Sequence, residues 1–342
     1  MDQVQIANIL LTRRCNLTCS YCNIVRDYPD MPEDYLPMKY YAQHELTGEE
    51  WIEIFSRLVK NNPNVFFVIY GGEPFVYKDL WKIIKYCNNN DVSYTVISNN
   101  TDIIQNQIHE VYEKCGQFKG FSSSVDPIIS GNIKGDGVDI RKKSNLGMTR
   151  LIKMKKDGIV DDAVAEITVM KSTIPHLYNT IKTLSKNGIY SSITTLDDAK
   201  NKYYDFARVL DESEMIPAND IDLLDQFTLI KEDKSLLIHM PELLDVIFDS
   251  LPSNRRCRLD RDITNVTVDA DGSFRLCLRI RGVQSPSLKL NDVISSDGYI
   301  QEKFNSYIKN DMDNYCQNCI WTCLMMSEMF TDQIINHGKQ NK

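Results

Sequence analysis

Three cysteines near the start of the chain, Cys15, Cys19 and Cys22, have the spacing C-x3-C-x2-C. Three thiolates this close together can hold three of the four irons of a 4Fe–4S cluster, which leaves the fourth iron without a protein ligand. An open iron can bind a substrate or cofactor directly, whereas electron-transfer clusters need full cysteine ligation. The spacing therefore predicts an iron–sulfur cluster that takes part in chemistry.

A structural zinc site is the alternative for these three cysteines. Zinc takes four closed tetrahedral ligands, commonly from two C-x2-4-C pairs. The spacing between Cys15 and Cys19, without a fourth Cys or His nearby, fits zinc poorly. A disulfide framework fits less well, because 342 residues with ten cysteines and no sequence resembling a signal peptide are typical of a reduced cytoplasmic protein.

Composition narrows the class of protein further. The formal net charge is −8, and an acidic chain lacks the positive surface that tight binding to nucleic acid needs. The sequence contains no apolar run of roughly 18 residues, the minimum for a membrane-spanning helix. We therefore expect neither stable nucleic-acid binding nor a membrane partner.

Residues 1–200 alternate strand-like and helix-like patterns, which predicts a βα-repeat domain with a parallel sheet. The predicted strands are Gln5–Thr12, Val65–Tyr70, Ser93–Ser98, Phe118–Val125, Ala163–Met170 and Ser191–Leu196. The predicted helices are Trp51–Asn61 (after a capping box at Thr47 and Glu50), Leu80–Asn88, Ile108–Lys114, Met148–Lys156 and His176–Asn187. The cysteines follow the first strand, at the edge where barrels of βα units place their active sites.

Other segments depart from this alternation. Residues 23–46 form a long first connection, which we interpret as either a surface excursion or a lid over the substrate. Residues 201–254 have an acidic, helical pattern and predict a bridge. Cysteine density rises again from Arg255, so we predict a second domain over residues 255–330 and a polar tail over residues 331–342.

Polar residues mark the ends of the predicted strands. Gly71-Gly72-Glu73-Pro74 follows the second strand, where glycines let the backbone approach a ligand and a carboxylate can accept a hydrogen bond from an ammonium group. The third, fourth and fifth strands carry further candidate binding residues: Ser98, Asn100, Ser124, Asp126, Glu166 and Thr168.

C-x3-C-x2-C followed one strand later by Gly-Gly-Glu-Pro resembles the radical S-adenosylmethionine (SAM) superfamily. The resemblance implies an α/β fold, a partial (β/α)6 TIM-like barrel, with a SAM-binding 4Fe–4S cluster on the three cysteines. The open iron would chelate the amino and carboxylate groups of SAM. Tyr21 would lie beside the adenine, and Gly71–Pro74 would hold the amino group. Ser98 and Asn100 fall at a family Thr-Asn-Gly turn, where asparagine tolerates the left-handed conformation of the replaced glycine.

The fourth and fifth strands match the superfamily less completely. Ser124 and Asp126 resemble its Ser-x-Asp-Gly motif, with Pro127 in place of the glycine. The match implies contacts to the ribose of SAM or to the substrate, and makes Asp126 a candidate catalytic residue. A turn begun by Asp126 before Pro127 is the alternative. Glu166 or Thr168 would reach the carboxylate or the ribose of SAM.

Five further cysteines lie near the C-terminus. Cys257 and Cys277 flank a predicted β-hairpin, Thr264–Asp269 and Ser273–Arg279, which turns at Asp271-Gly272. The run Cys316-x2-Cys319-x3-Cys323 follows. Together they resemble the C-terminal SPASM and twitch domains of radical SAM enzymes, a small hairpin-and-helix unit, and imply one auxiliary 4Fe–4S cluster.

Five cysteines exceed the four ligands that this cluster needs. The preferred ligands are Cys257, Cys277, Cys316 and Cys319, and the alternative sets replace Cys316 or Cys319 with Cys323. A zinc knuckle built from the same residues also stays open. If Cys323 is spare and faces the barrel mouth, its thiol could return a hydrogen atom to a substrate radical. Otherwise it is a ligand or an inert buried thiol.

The resemblance implies a radical SAM oxidoreductase or modifying enzyme. It would cleave SAM reductively to a 5′-deoxyadenosyl radical that takes hydrogen from a C–H bond of a peptide or small metabolite, with oxidation, cross-linking or epimerisation as the outcome. A flavodoxin- or ferredoxin-type protein would donate the electron. The first strand begins almost at Met1, so we expect no separate leader-peptide-binding domain. Radical modification of a nucleoside or nucleotide and a zinc-binding adaptor are the alternatives.

Overall fold

The structure is a computed structural model that describes residues 5–17, 19, 22, 24, 36–125, 140–195, 216, 220–239, 244, 265–275, 294–295 and 298–299. The strands are β1 Ile6–Thr12, β2 Phe66–Gly71, β3 Ser93–Ser98, β4 Phe118–Ser124, β5 Val160–Val169, β6 Tyr190–Thr195, β7 Asn265–Val268, β8 Phe274–Arg275, β9 Ile294–Ser295 and β10 Gly298–Tyr299. The helices are α1 Met38–His44, α2 Gly48–Asn61, α3 Leu80–Asn89, α4 Gln105–Cys115, α5 Ile140–Lys156, α6 Leu177–Ser185 and α7 Ile221–Glu232.

The fold class predicted from the sequence is confirmed. Strands β1, β2 and β7 pair in parallel, and so do strands β3–β6, with helices between successive strands, as in a partial TIM-like barrel. By contacts the chain divides into two compact units. Unit 1 comprises Met1–Asn16, Asn23–Tyr94 and Asn254–Lys342, and unit 2 comprises Leu17–Cys22 and Thr95–Ser253.

In unit 1 the strand order is β2-β1-β7-β8. Strand β1 pairs in parallel with β2 on one side and with β7 on the other, and β7 pairs antiparallel with β8. Successive side chains of β1 are buried, including Ile9, Leu10 and Leu11, because this strand has neighbours on both sides and both of its faces are covered. On α2, Phe55 stacks on Phe67 of β2 with ring centroids 4.1 Å apart.

In unit 2 the strand order is β6-β5-β4-β3, all parallel. Alternate residues of β5, among them Ala165 and Ile167, are fully buried, whereas Glu166 and Thr168 between them are partly exposed. Side chains of a strand point alternately to its two faces, so one face is packed and the other carries polar residues, of which Ser122 and Ser192 are also buried. We call the second face, with Ser122, Ser124, Glu166, Thr168 and Ser192, the polar face of unit 2.

Local sequence signals predicted these elements closely. The third predicted strand, Ser93–Ser98, has the observed bounds, and the capping box before α2 is present. In that box Thr47 Oγ1 accepts from the Glu50 backbone N–H, and the Glu50 carboxylate accepts from the Thr47 N–H at 2.8 Å. Within the long first connection, α1 is a helix that the sequence did not predict. The interpretation of residues 23–46 as a lid stays a prediction, because residues 23 and 25–35 of this connection lie outside the described residues.

The predicted C-terminal hairpin is also present. Strands β7 and β8 pair Val268 with Phe274 around the turn at Asp271-Gly272. The parallel pairing of β7 with β1 was not expected, because the pairing partner of a strand so distant in sequence cannot be deduced from local pattern. The domain boundaries at 200, 254 and 330 stay predictions, since most residues near them lie outside the described part.

Candidate functional site

The cysteine loop begins where β1 ends. Cys15, Cys19 and Cys22 are partly buried, and the Cys22 backbone N–H donates to Cys19 O at 3.1 Å, which closes a tight turn between the last two cysteines. The predicted adenine neighbour, Tyr21, lies outside the described residues. The turn supports the local compactness that three ligands of one cluster require.

The Gly71–Pro74 segment is built directly onto the start of this loop. The β1–β2 register shifts between Leu10 and Thr12, so that Gly71 lies opposite Thr12. The Gly72 N–H then donates to Thr12 O at 2.7 Å, and the Glu73 N–H donates to Arg14 O at 2.9 Å. The backbone directly before Cys15 is therefore fixed by the Gly-Gly-Glu-Pro segment.

Gly71 is required by this close approach. Its φ is +155°, and a Cβ atom added there would lie 2.2 Å from Thr12 O. The obstacle is a backbone atom, which a rotamer change cannot move. The spacing of the two strand ends thus explains the first glycine of the motif in physical terms.

Glu73 is fully buried beside the loop. Its Oε1 accepts from the Phe75 N–H at 3.1 Å, and so the carboxylate caps the 3₁₀ turn Pro74–Val76, in which Pro74 is also buried. A carboxylate oriented by a backbone N–H is preorganised to receive a cation. The structure gives Glu73 a local capping role that the sequence did not predict.

In unit 2, Ser98 and Asn100 shape the turn after β3. Asn100 has φ +49°, the left-handed conformation expected for the residue that replaces a glycine. Its side chain donates to Gly147 O at 3.2 Å and accepts from Gln105 at 2.8 Å, while Ser98 Oγ accepts from the Asn100 N–H at 3.0 Å. The Asn100 side chain thus attaches the turn after β3 to the start of α4 and to α5.

Glu166 is the central charged residue of the polar face of unit 2. It lies opposite Ser124 of β4 and Ser192 of β6. Burial raises the pKa of Glu166, whereas hydrogen bonds from Ser192 and Ser122 and the nearby charge of His239 act in the opposite direction. The carboxyl group is thus shifted toward its neutral form and is surrounded by hydroxyl groups.

The sequence favours a surface or core position for His239 and does not indicate a role in the site. The His239 backbone N–H donates to Ser191 O at 2.8 Å, which attaches residues 237–239 to the edge of β6. A lone histidine without ligand spacing gives no signal in one sequence. The other fifth-strand candidate, Thr168, pairs with Thr194 and is partly exposed, and Asp126 lies outside the described residues.

Within the described ranges, no three His, Cys, Asp or Glu side chains surround a position for a single metal ion. A 4Fe–4S cluster differs from one ion because each cysteine binds its own iron. Three partly buried thiols within eight residues of loop fit such a cluster by donor chemistry. The C-terminal cysteines Cys257, Cys277, Cys316, Cys319 and Cys323 lie outside the described residues.

Comparisons with known proteins agree with this geometry. Residues 9–126 match the Radical SAM superfamily. That segment covers the cysteine loop, the Gly71–Pro74 segment and the turn at Asn100. Over these residues the chain is similar to the superfamily.

Individual relatives of the chain are distant. Radical SAM cyclopropyl synthase TigE of Paramaledivibacter caminithermalis is 21% identical over 212 residues, which is 59% of this chain and 43% of that protein. The chain therefore spans less than half the length of this curated relative.

Solved structures share the fold at low identity. SuiB of Streptococcus suis, bound to precursor peptide SuiA, has a TM-score of 0.57 and 14% identity over 84% of this chain and 63% of its own. Native anSMEcpe with bound AdoMet and the Cp18Cys peptide has a TM-score of 0.55 and 14% identity over 99% of both chains. At such identities the likeness concerns the fold.

No helix within the described ranges has the length and apolar character needed to cross a membrane. The electron donor and the auxiliary domain are not addressed by these comparisons and stay predictions.

Proposed function

We propose that this chain is a radical SAM enzyme that cleaves SAM reductively and uses the resulting 5′-deoxyadenosyl radical to take hydrogen from a C–H bond of its substrate. The observation that carries the proposal is the backbone connection between the two motifs. Gly72 and Glu73 donate to Thr12 and Arg14, directly before Cys15. Cluster ligands and SAM-binding backbone are thereby positioned by the same hydrogen bonds.

The residues have distinct roles in this proposal. Cys15, Cys19 and Cys22 would each bind one iron, and the cluster supplies, when bound, the electron that SAM cleavage needs. Glu73 would orient the ammonium group of SAM, because its buried carboxylate is already held by the Phe75 N–H. Gly71 would hold this segment against the start of the cysteine loop, since a side chain there would collide with Thr12 O of β1.

We propose a peptide as the substrate class, with a small metabolite as the alternative. The peptides in the SuiB and anSMEcpe structures support this choice. The polar face of unit 2 offers hydroxyl groups and the Glu166 carboxyl group, which could bind backbone amides of an extended peptide. Oxidation, cross-linking and epimerisation all begin with the same hydrogen abstraction.

The C-terminal cysteines would hold one auxiliary 4Fe–4S cluster in a SPASM- or twitch-like domain. The proposed ligands are Cys257, Cys277, Cys316 and Cys319, with Cys323 as the spare or substitute. A flavodoxin- or ferredoxin-type donor would reduce the SAM-binding cluster. Because cluster cysteines must stay reduced, we place the enzyme in the cytoplasm.

A triple variant tests the proposal directly. Replacing Cys15, Cys19 and Cys22 with Ala should abolish 5′-deoxyadenosine formation under dithionite and should leave the iron of the auxiliary cluster. Iron analysis of anaerobically purified protein should fall from about eight to about four irons per chain, since each cubane holds four. Wild-type protein that is colourless and contains zinc would refute the function. Continued cleavage of SAM by the triple variant would refute the assignment of its cysteines.

A further inference from the structure

A buried ion pair fixes the residue two positions before the first cluster cysteine. Arg13 donates from Nε to Asp269 Oδ1 at 3.0 Å and from Nη2 to Asp269 Oδ2 at 2.7 Å. The Arg13 and Asp269 side chains are 2% and 1% exposed. Two parallel hydrogen bonds between a guanidinium and a carboxylate specify direction as well as distance.

Other groups in unit 1 hold the Arg13 guanidinium on its remaining sides. Its central carbon lies 4.2 Å from the centroid of the Tyr41 ring, which belongs to α1 and is buried. Its Nη1 donates to Ile24 O at 3.2 Å, so the chain just after the cysteine loop is bound to the same side chain. Arg13 thus joins β1, α1 and the exit of the loop.

The partner carboxylate is held equally firmly. Asp269 begins the β7–β8 turn, in which its N–H donates to Ser273 O at 2.9 Å and its carbonyl accepts from the Gly272 N–H at 2.8 Å. Asp269 Oδ1 also accepts from the Ala270 N–H at 2.8 Å. The Leu46 N–H donates to Ala270 O at 2.9 Å, which attaches this turn to the segment after α1. Asp269 therefore presents its oxygens to Arg13 in one orientation.

Arg14, the residue between Arg13 and Cys15, is fixed by different groups. Its Nη2 donates to Glu45 Oε2 at 2.6 Å, and its carbonyl accepts from the Glu73 N–H. Thr12 also donates from its hydroxyl to the Glu45 carboxylate. Three consecutive residues before Cys15 are thus restrained, and Arg13 connects them to the C-terminal part of the chain.

We propose that Arg13 and Asp269 are a positioning pair that sets the backbone of Cys15 for iron binding and makes this geometry depend on the β7–β8 turn. Cys277 follows that turn by eight residues from Asp269. The turn therefore joins the segment that carries the first cluster ligand to the segment that leads to a proposed auxiliary-cluster ligand. The inference rests on the proposed function, because it assigns Cys15 to the cluster.

Thiol modification of the iron-free, full-length chain tests the pair without the cluster. Asp269→Asn removes the charge and keeps the shape, and we expect Cys15 to be alkylated about tenfold faster, because local opening of the loop becomes easier. Cys115, partly exposed on α4, is the internal control and should react at the wild-type rate. Asp220→Asn is the matched control variant, since Asp220 pairs with Lys171 at 2.9 Å and asparagine also caps a helix.

Two further variants test the proposal if Asp269→Asn does not fold. The double variant Arg13→Gln/Asp269→Asn leaves no buried unpaired charge, and it should show the same selective increase at Cys15. Arg13→Lys should give an intermediate rate, because a lysine ammonium keeps the charge but not the two-pronged geometry. Unchanged Cys15 rates in the folded variants, or equal acceleration at Cys15 and Cys115, would overturn the proposal.

The g-values of the cluster in the reconstituted enzyme are a second readout. A pair that only stabilised the fold would leave them unchanged. In variant protein that retains iron, we expect the g-values of the reduced cluster to differ from those of the wild type. We also expect these g-values to change less than in the wild type when SAM is added. Wild-type g-values in every iron-loaded variant would contradict a positioning role. If wild-type protein binds no cluster at all, the proposed function fails, and the alkylation result still reports separately on the pair.

Discussion

Two charged residues beside the cysteine loop each combine burial with a fixed hydrogen-bond partner. Glu73 is held by the Phe75 N–H, and Arg13 is held by Asp269. Removing one partner of a buried ion pair typically costs roughly 3–5 kcal/mol, because the other charge is left buried and unpaired. The buried Arg13 charge is therefore tolerated because Asp269 is present, and the buried Glu73 carboxylate accepts a hydrogen bond from the Phe75 N–H.

Glu73→Gln separates the charge of this side chain from its capping role. The amide oxygen can still accept from the Phe75 N–H, but it cannot pair with an ammonium ion. We expect SAM affinity to fall by about one to two decades, the size of one charge-assisted hydrogen bond, with unchanged iron content. Equilibrium dialysis of SAM against reconstituted protein measures the effect.

Glu73→Ala is the comparison for this variant. It should lose the cap as well and lower the free energy of unfolding by about 1 kcal/mol more than Glu73→Gln. A dissociation constant for SAM that equals the wild-type value in both variants would remove Glu73 from the binding site.

Glu166 predicts a pH dependence of stability. Burial raises its pKa in the folded state above the ordinary value of 4.5, so the folded state holds this proton more tightly than the unfolded state. Its stabilising contribution is complete below pH 4.5 and is lost as pH rises through the folded-state pKa. Glu166→Gln, which stays neutral, should therefore gain stability over wild type as pH increases.

Urea unfolding of the wild type and of Glu166→Gln at several pH values measures this difference. The lowest pH is the internal control, because both side chains are neutral there and the two curves should nearly coincide. A difference in unfolding free energy that stays constant, or shrinks with rising pH, would show that Glu166 is not shifted in this direction.

At the scale of elements, the β1–β2 junction is the feature on which the site depends. Gly71→Ala would place a Cβ atom 2.2 Å from Thr12 O, so the strand ends must separate. Overpacking of this kind costs about 1–3 kcal/mol, and positive φ adds to it. We expect lower unfolding free energy together with reduced iron content, because Thr12 leads to Cys15.

Gly116→Ala provides a matched control for that substitution. Gly116 also has positive φ, +79°, but nothing lies within 4 Å of an added Cβ atom. It should lower stability by about 1–2 kcal/mol without loss of iron. Equal iron loss in both variants would show that the contact with Thr12 is not what maintains the cluster loop.

The elements differ in how well the sequence predicted them. Strand β3 has its predicted bounds because β-branched and aromatic residues are bounded there by turn residues. Helix α5 begins at Ile140, eight residues before the predicted start, since its first turns are polar and carry little helical periodicity. Helix α1 begins at Met38, and its N-cap residue, Pro37, makes no side-chain capping hydrogen bond, so the helix carries no capping signal.

In the candidate site, too, the sequence predicts the local features but not the long-range contacts. Its motifs are local, and the left-handed Asn100 followed from one substitution within a recognisable turn. The Arg13–Asp269 pair joins residues separated by 256 positions, and nothing in either local sequence indicates the other. Long-range pairings are consequences of packing, which a single sequence does not display.

At the scale of the whole molecule, eight of the ten cysteines fall into two groups that are far apart in the sequence. Cys15, Cys19 and Cys22 lie near the start, and the next group begins at Cys257. A barrel-sized stretch of chain separates them, which favours two clusters with separate tasks. The first cluster would take part in forming the radical. The second cysteine group would either accept an electron from the substrate radical or return a hydrogen atom to it.

The role of Cys323 is a further prediction, because five cysteines are available for the four ligand positions of the proposed auxiliary cluster. If it is a hydrogen donor, Cys323→Ala should keep its iron and continue to form 5′-deoxyadenosine, but should lose the final product or divert it. Cys115→Ala is the control for loss of a thiol elsewhere in the chain. Loss of about half the iron from Cys323→Ala would instead make Cys323 a ligand, since each cluster holds four irons. Iron analysis and product mass spectrometry on the same samples distinguish these results.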